Sequence, residues 1–64
     1  METIIKILMK RDKMTRNDAK ALVDEVYEEI NYYLEQGDYY SAEDLVMNDL
    51  GLEPDYLEIL LTES

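Results

Sequence analysis

The chain has 64 residues and no cysteine, and this combination limits how it can fold. A chain of this length buries only about 60% of the surface that it exposes when unfolded. Disulfides and thiolate metal sites stabilise many domains of this size, but both need cysteine. The 47% hydrophobic content is nevertheless typical of folded domains and too high for an acidic disordered tail. We therefore predict a single small domain over residues 1–64, without a linker and held together by closely packed helices.

Hydrophobic spacing of three and four residues predicts helices along the whole chain, and no segment has the alternation of a strand. The predicted fold class is all-α, a small bundle of four helices at about 3–11, 16–36, 42–50 and 54–62. Thr15 is the predicted N-cap of the second helix, and Gly37 follows its end. Ser41 is the predicted N-cap of the third helix, and Pro54 the first residue of the fourth.

The last two predicted helices are joined through Gly51 and look like a helix-turn-helix unit. In such a unit the second helix enters the major groove of DNA. Here that helix carries only acids among its charged residues, and acids repel phosphates. We therefore expect helix-turn-helix geometry as a scaffold that does not bind DNA.

Charge is distributed unevenly along the chain, whose net charge is −10. All six basic residues lie within residues 1–20, and every charged residue after Lys20 is acidic. Nucleic-acid binding needs Lys and Arg along the contact face, so direct binding to DNA or RNA is not expected. The acidic part instead favours a basic protein partner. Four bases are candidates to fold back onto the acids: Lys6, Lys10, Lys13 and Arg16.

Several kinds of chemistry are excluded by the residues that the chain lacks. Without His and Cys there is no base or thiol for a nucleophilic triad. Paired carboxylates need an enclosed site, which short helices hardly form. Residues 48–51 lack the spacing of a calcium loop, and no glycine-rich phosphate loop occurs. We predict no enzyme activity, no catalytic residue, no cofactor and no specific metal site.

The apolar run Ile4–Met9 is interrupted by Lys6 and is too short to span a bilayer. No cleavage site for a signal peptide follows it. We therefore expect a cytoplasmic protein without membrane contact. The first helix still has an apolar face of roughly 200°, which is wide for one neighbour. Three interpretations remain: a helix wedged in the core, a homodimer seam and a membrane-surface anchor.

Candidate partner-binding residues lie on the acidic part of the chain. Tyr supplies apolar area with a polar end, which suits interfaces. Six Tyr and no Phe or Trp occur, and Tyr27, Tyr33 and Tyr56 are expected at the edge of the core. The candidates on the second helix, the turn and the third helix are Asp24, Glu25, Glu28, Glu29, Tyr32, Glu35, Asp38, Tyr39, Tyr40, Glu43 and Asp44. The alternative is a solvated surface that only keeps the protein soluble.

Two segments carry a resemblance to known proteins. They are LMKRDKMT at residues 8–15, followed by Asp18 and Ala19, and LGLEPDYL at residues 50–57. They resemble short, acidic, uncharacterised proteins of phages and prophages in Gram-positive bacteria, which share a similar "RD-x-M/L-T" segment and "LGLEPDY" turn. The resemblance implies a small phage-encoded accessory protein, a class that includes anti-CRISPR and anti-restriction inhibitors. Many of those inhibitors are acidic mimics of nucleic acid.

Three functional hypotheses follow. The first is an inhibitor that occupies the nucleic-acid or PAM-reading groove of a host defence nuclease, such as a CRISPR effector, in the host cytoplasm. The second is a small homodimeric adaptor that works through the apolar face of the first helix. The third is an antitoxin-like or regulatory partner of a basic toxin or transcription factor, which would use the same acidic surface.

Overall fold

A computed structural model describes residues 1–63, which form four α-helices and no strand. The helices are α1 (Glu2–Arg11), α2 (Arg16–Glu35), α3 (Tyr39–Asp49) and α4 (Tyr56–Thr62). The predicted all-α bundle is confirmed. α2 packs against α1 and α3, while α4 packs against α1 and α3. The molecule measures 33 × 18 × 18 Å, and α2, about 30 Å long at 1.5 Å per residue, is nearly as long as the longest of these dimensions.

The core is built from one apolar face of each helix. No buried residue in the described part of the chain is polar or charged, so burial of apolar surface is what stabilises the bundle. α1 is wedged into this core, which agrees with the first of the three interpretations of its wide apolar face. No helix within residues 1–63 is long and apolar enough to cross a membrane. The buried side chains are Ile4, Ile5, Leu8, Ala19, Val23, Val26, Ile30, Ala42, Val46, Leu50, Leu57 and Leu60.

Two predicted helix starts are wrong, and local hydrogen bonds explain both. α3 begins at Tyr39 and not at residue 42, because Asp38 and not Ser41 is its N-cap. The Asp38 carboxylate accepts hydrogen bonds from the Ser41 N–H at 3.1 Å and from its hydroxyl at 2.6 Å. α4 begins at Tyr56, because Pro54 lies in a turn in which the N–H of Leu57 donates to the Pro54 carbonyl at 3.0 Å. Proline fixes the backbone of this turn and has no N–H of its own to donate.

The ends of α2 follow the predicted signals. The Thr15 hydroxyl accepts a hydrogen bond from the Asp18 N–H at 3.1 Å, as an N-cap does. At the other end Gly37 has a φ of +75°, in the left-handed region that favours glycine. The N–H groups of Gly37 and Asp38 donate to the carbonyls of Leu34 and Tyr33 at 3.0 and 2.8 Å. This is the Schellman arrangement, and it turns the chain sharply from α2 into α3.

Arg11, the last residue of α1, joins that helix to the end of α3. Its guanidinium donates to the carbonyls of Leu50 and Gly51 at 2.7 and 2.9 Å. The neighbouring Asp12 carboxylate accepts from the same guanidinium at 2.9 and 2.7 Å. A cation is favoured at a helix C-terminus, where carbonyls lack partners within the helix. The segments at residues 8–15 and 50–57 therefore meet at Arg11 and Gly51.

This contact leads to a prediction about the two glycines. Both have positive φ, and an added Cβ at Gly37 would meet nothing within 4 Å. At Gly51 it would lie 3.3 Å from a guanidinium nitrogen of Arg11, which is held by two carbonyls and Asp12. We expect Gly37→Ala to lower the free energy of unfolding by about 1 kcal/mol and Gly51→Ala by about 2 kcal/mol. Urea denaturation followed by circular dichroism measures both, and equal losses would contradict the Arg11 contact.

Glu63 connects the end of α4 to the start of α1. Its carboxylate accepts from the Thr3 hydroxyl at 2.6 Å and from the Thr3 N–H at 2.9 Å. The amino group of Met1 lies 3.1 Å from the same carboxylate. These partners, with the Thr3 hydroxyl first in importance, lower the pKa of Glu63 from 4.5 to about 2. The carboxylate also serves as the cap that α1 lacks in its own sequence, since Met1 offers no side-chain acceptor.

The lowered pKa of Glu63 predicts how this connection depends on pH. Because the folded pKa lies below the unfolded one, the stabilisation is fully present above about pH 4.5 and is lost as the pH falls towards about 2. Glu63→Gln removes the charge at every pH. We expect wild type to be more stable than this variant at neutral pH and the difference to shrink steadily below pH 4.5. Urea melts at several pH values test this, and a difference that stays constant down to pH 2 would contradict it.

Candidate protein-binding surface

The outer side of α2 carries a row of carboxylates, which we name the acidic face. It consists of Asp24, Glu25, Glu28, Glu29 and Glu35. The helical repeat places them away from the stripe that includes Val23 and Ile30, both of which are fully buried. The four glutamates are exposed and Asp24 is half-buried. All five predicted acids of this helix therefore lie together on its solvent side.

Four of these five acids have no cation beside them. The Lys20 ammonium pairs with Asp24 at 2.8 Å, one turn earlier on α2. No salt bridge within residues 1–63 involves Glu25, Glu28, Glu29 or Glu35. Glutamates three and four residues apart, such as Glu25 with Glu28 and Glu29, repel one another. The four glutamates of the acidic face thus keep their charge and gain no stabilisation from it.

At the start of α2, two basic residues, Arg16 and Lys20, pair with acids. Arg16 pairs with Glu2 of α1 at 2.7 Å, which places the beginnings of α1 and α2 side by side. Lys6, Lys10 and Lys13 form no salt bridge in the described part of the chain. None of the four bases expected to fold back therefore pairs with the acidic face; Asp24 is paired by Lys20 instead, and the end of α2 presents its glutamates uncompensated.

Three tyrosines near the turn between α2 and α3 are exposed. Tyr32 lies among the glutamates with 60% of its surface exposed, while Tyr39 and Tyr40 begin α3 with 52% and 77% exposed. The Tyr32 ring packs edge-to-face on Tyr33, with ring centres 5.5 Å apart and planes at 73°. Tyr33 is half-buried against the core, so this contact orients the exposed ring. Tyr27, Tyr33 and Tyr56 are half-buried at the edge of the core, as predicted.

The predicted acids of the turn and of α3 are placed differently from those of α2. Asp38 is half-buried, and both of its carboxylate oxygens accept hydrogen bonds from Ser41. The Ser41 hydroxyl, and then its N–H, lower the pKa of Asp38, so the group stays ionised as a helix cap. Glu43 and Asp44 are half-buried and lie beyond the first turn of α3, because that helix begins three residues earlier than predicted.

Met47 is a surface residue that the sequence pattern did not assign to the site. Its side chain lies on the outer side of α3 with 40% of its surface exposed. Its position seven residues after Tyr40 was the available signal, since two helical turns bring both side chains to one face of α3. Of the described residues, the large apolar side chains that are exposed are Tyr32, Tyr39, Tyr40 and Met47.

α1 offers little apolar surface to a second copy of the chain. Ile4, Ile5 and Leu8 are buried against α2 and α4, and Ile7 and Met9 are half-buried. The wide apolar face of this helix is therefore largely used inside the bundle. The exposed apolar side chains lie on α2 and α3 instead.

A shallow concavity along α4 is lined by Asp55, Glu58, Ile59, Thr62 and Glu63. No three acids within residues 1–63 are grouped so that they could hold a metal ion.

Comparisons of the chain with protein-family models, curated proteins and solved structures find no match. The surface formed by α2 and α3 is therefore the feature from which a function has to be inferred.

Proposed function

We propose that this protein is a stoichiometric inhibitor that binds the nucleic-acid-binding groove of a host defence nuclease, as an anti-CRISPR-like mimic of nucleic acid. The observation that supports this most is the row of unpaired glutamates on α2, with Tyr32 exposed among them. Such a row weakens the fold by repulsion, and a mixture of charges would keep the protein soluble equally well. Binding to a cationic groove gives these side chains a use that solubility does not require.

The spacing of the acids also supports mimicry. Asp24 and Glu35 are separated by eleven residues, which is about 16 Å along a helix at 1.5 Å per residue. Asp24 is paired with Lys20, so the four glutamates give about one uncompensated negative charge every 5 Å over the roughly 15 Å from Glu25 to Glu35. A single strand of duplex DNA carries one charge every 3.4 Å of helix axis. Arg and Lys that line a phosphate-binding groove would therefore meet negative charge at a similar density.

The mechanism is occupancy, and it requires no reaction. Opposite charge draws the two proteins together and raises the association rate, most strongly at low ionic strength. Inside the groove, carboxylates and guanidinium groups form paired hydrogen bonds that are stronger than exposed ion pairs. The bound inhibitor then excludes DNA or guide RNA from the same cations. The resemblance to phage and prophage proteins supports a defence nuclease as the class of partner.

The homodimeric adaptor is not favoured by any specific contact, because the apolar face of α1 is largely buried within one chain. Size-exclusion chromatography with light scattering separates the two functions. We expect a monomer at low and high salt that forms a one-to-one complex with a CRISPR effector nuclease at low salt and loses it at high salt. A dimer that persists at both salt concentrations and binds no nuclease would overturn the proposal in favour of the adaptor.

A further inference from the structure

We propose that the outer side of α3 is a second contact surface and that it selects arginine over lysine side chains of the partner. This surface, the α3 stripe, consists of Tyr40, Glu43, Asp44 and Met47. The inference rests on the proposed function and extends it, since it names the cation that the inhibitor recognises. It concerns a different helix from the acidic face and can fail while the role of α2 stands.

The α3 stripe has two acidic side chains between two apolar ones along one side of the helix. Tyr40 and Met47 are 77% and 40% exposed and lie two turns, about 10 Å, apart. Glu43 and Asp44 follow Tyr40 by three and four residues, the spacing that brings side chains together on a helix. Neither acid forms a salt bridge within residues 1–63. An aromatic ring, two carboxylates and a thioether are therefore neighbours on an open surface.

This arrangement matches the chemistry of a guanidinium group. Arginine is planar and weakly hydrated, so one face can stack on an aromatic ring while its edge donates two parallel hydrogen bonds to a carboxylate. The polarisable sulfur of Met47 extends the apolar surface along which the rest of the arginine side chain can lie. A lysine ammonium is a compact, strongly hydrated charge and can use the carboxylates but not the ring plane to the same extent.

Charge complementarity indicates which class of partner binds the α3 stripe. A second copy of this chain also has a net charge of −10 and would bring like charges together. Phosphates of a nucleic acid would meet Glu43 and Asp44 with the same repulsion. A basic protein surface has neither problem, and of the two basic side chains arginine makes fuller use of the exposed ring together with the carboxylates.

The test compares an oligo-arginine peptide with an oligo-lysine peptide of equal length, measured by fluorescence anisotropy at low ionic strength. We expect wild type to bind the arginine peptide about tenfold more tightly. Tyr40→Leu keeps an apolar helix-forming side chain but removes the ring, and it should reduce this ratio to about one by weakening only the arginine peptide. Tyr40→Phe keeps the ring and should preserve the ratio. Circular dichroism checks that both variants are helical.

Each outcome has a clear meaning. Equal affinity of wild type for the two peptides, no binding of either, or an unchanged ratio in Tyr40→Leu overturns the proposal. The proposed function is tested separately, in a variant in which Glu28, Glu29 and Glu35 are replaced together by lysine. If this variant binds both peptides as tightly as wild type does, the proposed function fails. A ratio that collapses in Tyr40→Leu but not in Tyr40→Phe supports the arginine-selective stripe.

Discussion

Replacing Glu28, Glu29 and Glu35 together by lysine is expected to weaken binding to a nuclease partner by about a hundredfold or more at low ionic strength. All three are exposed and have no cation beside them in the described part of the chain. Each substitution removes an attraction to the groove and adds a repulsion. The fold should persist, because the new lysines relieve repulsion along α2. Surface-immobilised nuclease titrated with each variant measures the affinity.

A matched variant separates position from net charge. Glu53, Asp55 and Glu58 are also exposed but lie at the turn before α4 and on α4. Changing these three to lysine alters the total charge by the same amount and leaves the acidic face intact. We expect this variant to lose only a few-fold in affinity, from the weaker overall field. If both triple variants lose affinity equally, the total charge and not the acidic face determines binding.

The second large effect concerns stability. Leu8→Ala is expected to lower the free energy of unfolding by about 3 kcal/mol, because Leu8 is fully buried and its truncation leaves a cavity. A domain of this size has a total stability of roughly 3–10 kcal/mol, so this loss removes about a third of it or more. Urea denaturation followed by circular dichroism gives the difference.

Met47→Ala is the control for that measurement. Met47 is 40% exposed on α3, so its truncation should change the free energy of unfolding by only about 0.5 kcal/mol. Comparable losses in Leu8→Ala and Met47→Ala would contradict the packing described for α1. The same control also distinguishes a change on the α3 stripe from a change in the core, because Met47→Ala alters the stripe without opening a cavity beneath it.

The sequence predicts the helices and most of the core because these depend on local patterns. The stripe of α2 and its signals at Thr15 and Gly37 lie within a few residues of the structure they specify. The start of α3 was missed because Asp38 and Ser41 are both good N-caps. Asp38 is the cap because its carboxylate accepts hydrogen bonds from both the N–H and the hydroxyl of Ser41. As a result, Glu43 and Asp44 lie beyond the first turn of α3.

Contacts between distant parts of the chain were beyond the reach of sequence patterns. Arg11 holds carbonyls 39 and 40 residues away, and Thr3 binds Glu63 across 60 residues. The sequence gives the charges of these residues but not their partners, since partners depend on how the helices cross. The candidate site shows the same division. The acids of α2 were predicted from spacing, whereas the pairing of Arg16 with Glu2 of α1 appears only in the folded chain.

If the acidic face occupies a nucleic-acid-binding groove, the protein displaces nucleic acid from a nuclease, and a displacement assay measures this. Fluorescently labelled target DNA is bound to a CRISPR effector nuclease, and the protein is added while anisotropy is followed. We predict that wild type displaces the DNA at one-to-one stoichiometry, that the lysine variant of Glu28, Glu29 and Glu35 does not, and that added salt suppresses the displacement. Occupancy of the groove by the acidic face would be contradicted if wild type and this variant displaced the DNA equally. It would also be contradicted if wild type displaced no DNA from any member of a panel of RNA-guided and restriction nucleases.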